Sequence, residues 1–215
     1  NTHSRRDFLR LSGLGAAAAL LPSLPAFSAQ DRKPNVIVIL SDDQGYQDVG
    51  CHGCVDVPTP NLDSIAKNGI RFTDGYVSCP VCSPSRAGLL TGRYQTRFGH
   101  EGNPTPQMDR QNWGLPLSEK TIAEYMKENG YKTGVIGKWH LGDAPYWPEH
   151  HGFDLNVAGT SAAAPTSYFA PWKIPTITEG DPGEYLTDRL GEEVVELVLR
   201  QTDGPGDDLE LTQSV

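Results

Sequence analysis

Apolar residues fall into short runs divided by polar, Gly- and Pro-marked stretches. NVIVILS (35–41) is continuous and β-branched, which predicts a buried parallel strand ending at Asp42-Asp43-Gln44-Gly45. Thr59-Pro60 predicts a helix start, with Ile65 and Ala66 facing inward and Gly69 as terminator. GIRFTDGYV (69–77) reads as a second strand, and Ser83-Pro84 opens another helix. Ser118 is expected to cap EKTIAEYMKEN, whose Ile122, Tyr125 and Met126 share one face. KTGVIGKWHLG (132–142) begins as a strand, and residues 143–182 read as long loops. Asp181-Pro182 opens a last helix to about Gln201, striped by Leu186, Leu190, Val194, Leu197 and Val198. Alternating strands and helices predict an α/β layered domain with a mainly parallel sheet, whose sites gather at the carboxyl ends of strands.

The first thirty residues do not belong to that pattern. Ser4-Arg5-Arg6-Asp7-Phe8-Leu9-Arg10 resembles a twin-arginine export signal, and LSGLGAAAALL (11–21) suits a signal-peptide core but is too short for a comfortable membrane span. Small residues around Ala26 and Ser28 offer a cleavage point. The expected location is the periplasm or the exterior, by way of the twin-arginine translocase, with no stable membrane span. The net charge is −9, and residues 1–30 hold three Arg against one Asp, so the remainder is more acidic still. That balance argues against a general nucleic-acid binder, although a local cluster of cations could still hold an anion.

Three groups of residues could carry chemistry. Asp42 and Asp43 follow the first predicted strand; converging carboxylates repel unless a cation lies between them, and oxygen ligands suit Ca²⁺ or Mg²⁺. A solvated turn is the plainer reading of that pair. Lys138 and His140 are two apart, so strand alternation would put an ammonium beside an imidazole, with Trp139 opposite. The cysteines form two C-x-x-C pairs, Cys51/Cys54 and Cys79/Cys82. A zinc site, a disulfide and buried thiols are all open, but the separation of the pairs is long for a zinc ribbon. Cys82 is distinctive because a helix start follows it, where an anion is favoured, and Arg86 lies one turn on.

Cys82-Ser83-Pro84-Ser85-Arg86-Ala87-Gly88-Leu89-Leu90-Thr91-Gly92-Arg93 resembles the signature of the type I sulfatases, C-x-P-S-R-x-x-x-L-T-G-R, at every fixed position. PNVIVILSDDQG, TPNLDSIAKNGIRFTDGY and GVIGKWHLG follow the family's order. The resemblance implies an alkaline-phosphatase-like α/β domain and oxidation of Cys82 to Cα-formylglycine by a formylglycine-generating or sulfatase-maturating enzyme. It also implies Ca²⁺ (with Mg²⁺ possible) at Asp42, Asp43 and residue 82, an orienting role for Arg86, and contact of Lys138 and His140 with the sulfate ester and the hydrated aldehyde. The general pattern is similar to that of arylsulfatase A-like and N-acetylgalactosamine-6-sulfatase-like members, which suggests a sulfated saccharide as substrate, with specificity expected in RFGHEGN (97–103) and the loops of 143–180.

The family usually completes its cation site and sulfate grip with residues farther along, and these are not found here. The chain is therefore expected to be the N-terminal portion of a sulfatase, incomplete at its C-terminus and poorly active alone. Its expected layout is a signal peptide over 1–30, catalytic-domain sequence over 31–203 and an acidic tail over 204–215. Competing readings are a phosphonate or phosphodiester hydrolase with the same nucleophile, and a non-catalytic metal- or partner-binding fragment.

Overall fold

The computed structural model describes residues 33–105, 109 and 113–202. The expected signal peptide and acidic tail lie outside the described residues. The chain divides after Ser41 into two units. In the described part of the first, Val36, Ile37, Val38, Ile39 and Leu40 are 43–76 % exposed and belong to no strand. The strand expected at 35–41 is therefore not formed. A strand exists only through a ladder, and among the described residues the sole sheet is a two-stranded one elsewhere.

The second unit begins at Asp42. Helix α1 spans Pro60–Asn68, with Thr59 as N-cap and the Gly69 N–H closing on the Ile65 carbonyl, as the sequence predicts. Ile65 is 60 % exposed, so the inward face assigned to it is not buried. Residues 69–77 form no strand, and Ile70, Phe72, Tyr76 and Val77 are exposed. Helix α2 spans Cys82–Thr91; Cys82 is its first helical residue rather than the one before it, and Gly92 terminates it at φ 65°.

Helix α3 spans Ile122–Glu128 and starts later than expected. Thr121, not Ser118, is the cap: its Oγ1 accepts from the Glu124 N–H while the Glu124 carboxylate accepts from the Thr121 N–H. T-x-x-E is a capping box, whereas Ser118 has Thr121 three residues on and cannot form one. Strand β1 (Gly134–Ile136) pairs in parallel with β2 (Leu155–Val157), Val135 opposite Asn156. β2 corrects the expectation of continuous loop over 143–182. That region also holds two 3₁₀ turns, Ala144–Tyr146 and Pro148–His151. Helix α4 spans Leu186–Thr202, starting four residues after Pro182 because Asp181–Glu184 is spent in a turn closed by the Glu184 N–H on the Asp181 carbonyl.

Among the described residues two small cores hold this unit. Ala87, Leu115, Trp139 and Leu141 pack together, flanked by Leu90, Phe98, Val135 and Phe153. Ala170, Trp172 and Leu186 form the other, with Leu190 against them. The first core positions the site. Ala87 from α2 and Trp139 from the segment after β1 are buried side by side, so Arg86 and Lys138, each one residue away, emerge as neighbours.

Candidate active site

Arg86 and Lys138 meet over Asp42. The Lys138 ammonium lies 2.5 Å from Asp42 Oδ2, and Arg86 Nη2 lies 3.5 Å from the same oxygen. Arg86 also donates through Nη1 to the Lys138 carbonyl at 2.6 Å, tying α2 to the chain that leaves β1. Burial alone would raise the Asp42 carboxyl, but Lys138, Arg86 and His140 outweigh it and hold it below its ordinary value. Burial draws the Arg86 guanidinium down, opposed by the nearby Asp42 and Cys82. Asp42, Cys82, Arg86, Lys138 and His140 thus share one electrostatic neighbourhood.

The route by which His140 arrives differs from simple alternation. β1 ends at Ile136, and Gly137 (φ 96°) and His140 (φ 59°) are both left-handed. Left-handed backbone is unfavourable for histidine and needs support. His140 is 2 % exposed, its N–H donates to the Thr160 carbonyl at 2.9 Å, and its ring lies 6.0 Å from that of Trp113. Asp43 is also left-handed, at φ 55°, a conformation that aspartate tolerates better than most residues. The pair therefore sits on a bend in the chain rather than on a strand end.

The thiols are not bonded to one another, as Cys51, Cys54, Cys79 and Cys82 are all free. Among the described residues no group of three or more His, Cys, Asp or Glu gathers as metal ligands. The two C-x-x-C pairs therefore do not make a zinc site. For a hard cation, Asp42 and Asp43 are oxygen donors of the right chemistry but only part of a shell, since Ca²⁺ takes six to eight oxygens.

Two residues at the site carried no catalytic role in the sequence. The His100 ring lies 2.7 Å from Ser83 Oγ through Nε2 and 3.3 Å from the Gly114 carbonyl through Nδ1. It is 4 % exposed, and burial pushes its imidazole below its usual value against the pull of that carbonyl. Asn103 Oδ1 accepts the Ser83 N–H at 3.0 Å, and its Nδ2 lies 3.3 Å from Cys82 Sγ. RFGHEGN (97–103) stands out in the sequence only as a candidate specificity loop, with no periodicity to link it to α2.

The "Sulfatase" family model matches residues 34–206, and the chain belongs to that family. A twin-arginine translocation signal model matches residues 2–22, so the chain carries an export address to the periplasm or beyond. Among the described residues no helix is long and apolar enough to cross a membrane. Relatives include human arylsulfatase A, 48 % identical over 143 residues (65 % of this chain, 28 % of that protein). Arylsulfatase G of Canis lupus familiaris is 43 % identical over 148 residues, covering 68 % of this chain and 27 % of that protein. The solved structure of Ps i-CgsB with k-i-k-neocarrahexaose is similar at TM-score 0.70 and 36 % identity, across 81 % of this chain and 43 % of that one. The expected α/β, alkaline-phosphatase-like class holds, since these structural neighbours are sulfatases with that fold. The chain spans about a quarter of the length of the curated relatives it matches.

Proposed function

We propose that the site hydrolyses sulfate esters with a nucleophile made from Cys82. The observation that carries this reading is the convergence of Arg86, Lys138 and His140 beside Asp42, at the helix start that presents Cys82. Three cationic or cationisable side chains suit an anionic ester, and the N-terminal turn of α2 favours negative charge on residue 82.

In this reading a formylglycine-generating or sulfatase-maturating enzyme, with the oxidant that it employs, converts the Cys82 thiol to the formylglycine aldehyde with loss of the sulfur, and the aldehyde adds water to become a gem-diol. One hydroxyl oxygen attacks sulfur, the sulfur–oxygen bond to the alcohol breaks, and the alcohol leaves with a proton. Sulfate is now held on residue 82. The second hydroxyl gives up its proton, the carbonyl re-forms, and the carbon–oxygen bond to sulfate breaks. Lys138 holds ester oxygens and the residue-82 oxygen together, and His140 accepts the proton as the diol collapses. Arg86, fixed through the Lys138 carbonyl, orients the diol. Asp42 and Asp43 would hold part of the coordination of Ca²⁺, or of Mg²⁺, with an oxygen of residue 82 as a further ligand. Such a cation supplies Lewis-acid stabilisation of negative charge.

A sulfated saccharide is the substrate class favoured here. The relative of solved structure named above was captured with a carrahexaose. A Bacteroides thetaiotaomicron relative, 37 % identical at TM-score 0.51 over 58 % of this chain, comes from work on metabolism of multiple glycosaminoglycans. Parallel assays of the matured protein on aryl sulfates, sulfated oligosaccharides and phosphate diesters decide the matter. Sulfate release is expected; phosphodiester cleavage in its place would move the protein to the related phosphoryl chemistry.

A further inference from the structure

Asn103 is bound to the first turn of α2 by its whole amide group. Its oxygen accepts the Ser83 N–H at 3.0 Å, one of the N–H groups that a helix start leaves without an internal partner. That bond fixes which way round the amide lies, because the opposite flip would aim two N–H donors at another donor. The amide nitrogen is thereby directed at Cys82 Sγ, 3.3 Å away; the oxygen stands farther from the sulfur, at 3.6 Å.

The loop that carries Asn103 is itself anchored. The His100 N–H donates to the Gln95 carbonyl at 3.1 Å, and the His100 ring bonds the hydroxyl of Ser83, which is fully buried. His100 and Asn103 grip the hydroxyl and the N–H of one residue, Ser83, and leave the Asn103 donor facing the side chain just before it.

We infer that Asn103 is a positioning residue for residue 82: it caps α2 through Ser83 and offers one N–H donor to the reacting side chain. The inference rests on the sulfatase reading for its catalytic consequence, but its geometry holds for the unmodified cysteine as well. With a thiolate the donor bonds sulfur, and with the hydrated aldehyde it bonds an oxygen. In both forms it fixes the rotamer of residue 82.

Asn103→Asp separates positioning from mere structure. The carboxylate still accepts the Ser83 N–H, and an acidic group near a helix start is favourable, so Tm should match or exceed that of the parent. The donor is lost and a like charge faces Cys82. In the unmodified 215-residue chain, alkylation of Cys82 by iodoacetamide at one fixed pH, read on the peptide that carries it, should slow about tenfold. A folded Asn103→Asp variant alkylated at the parent rate overturns the inference. A second measurement needs no variant: the Asn103 side-chain amide protons should shift in NMR when Cys82 is alkylated, and an unchanged resonance also overturns it. In the matured protein the same substitution should lower kcat about tenfold with KM nearly unchanged. A parent protein that turns over no sulfate ester counts against the proposed function alone, because the alkylation and NMR results still decide the role of Asn103.

Discussion

Residues 82–103 and residues 69–77 have similar stakes in apolar burial and opposite fates. In the first stretch Ala87 and Ser83 are fully buried and Gln95 nearly so, and the N–H and hydroxyl of Ser83 and the amide nitrogen of Gln95 each meet a partner within the unit. In the second, Phe72 is 76 % and Tyr76 88 % exposed, although both carry large aromatic rings. The difference lies in what each element needs. A helix closes its own hydrogen bonds and asks only for one covered face, whereas a strand owes every backbone bond to a neighbour. Of the catalytic candidates, Cys82 and Arg86 occupy the part of the chain that needs little from elsewhere, whereas Asp42, Lys138 and His140 reach them from other segments.

The comparison can be broken first at its centre. Trp139 is 2 % exposed and packs against Ala87, Leu115 and Leu141, with its indole N–H on the Tyr146 carbonyl at 2.8 Å. Trp139→Ala should cost about 3–5 kcal/mol in urea unfolding and release Lys138 from Arg86. Retention of stability within 1 kcal/mol, roughly the size of one surface effect, would deny that this core holds the site.

A titration gives the next largest effect. His151 is 1 % exposed, lies 5.5 Å from the Trp139 ring, and is pushed by burial down to about 4 despite the pull of Glu124. The unfolded chain takes up that proton near the ordinary histidine value, about 6.5, before the folded chain does. Stability is therefore full above that value and falls as pH drops toward 4, by roughly 2–3 kcal/mol. Urea midpoints between pH 7.5 and 4.5, compared with those of His151→Phe, check this; a parallel pH slope in both proteins contradicts it.

Capping comes third. Thr121 both caps α3 and donates to the His151 carbonyl at 2.7 Å, so Thr121→Ala should cost about 1–2 kcal/mol, while Ser118→Ala should change little. The smallest effect belongs to the uncovered stretch: Phe72→Ser should shift stability by less than about 0.5 kcal/mol, by the same unfolding assay. A large loss there would mean that residues 69–77 are packed after all.

The same contrast explains what could be read in advance. Pro60 and Pro84 mark helix starts through fixed φ, and these local signals were legible; the cap of α3 was expected at Ser118 although Thr121-Ile122-Ala123-Glu124 carries the capping box. The proximity of Lys138 and His140 to Asp42 and Arg86 is what the family resemblance implies, and the motifs taken singly left it open. The left-handed turn at His140 was not legible, because only tertiary bonds such as that to Thr160 hold it. β2 was hidden because LNV (155–157) is short and becomes a strand only beside β1. Asn103 was hidden for a related reason: its partners lie 20 and 21 residues back, and nothing in a lone Asn announces them.

The central claim concerns what residue 82 becomes. The most direct measurement is the mass of the peptide spanning residues 79–93 after production of the protein with its maturation enzyme. The account predicts a peptide lighter by about 18 Da than the cysteine form, reactive toward hydrazide and centred on residue 82. A peptide that retains an unmodified, alkylatable Cys82 under those conditions would contradict it.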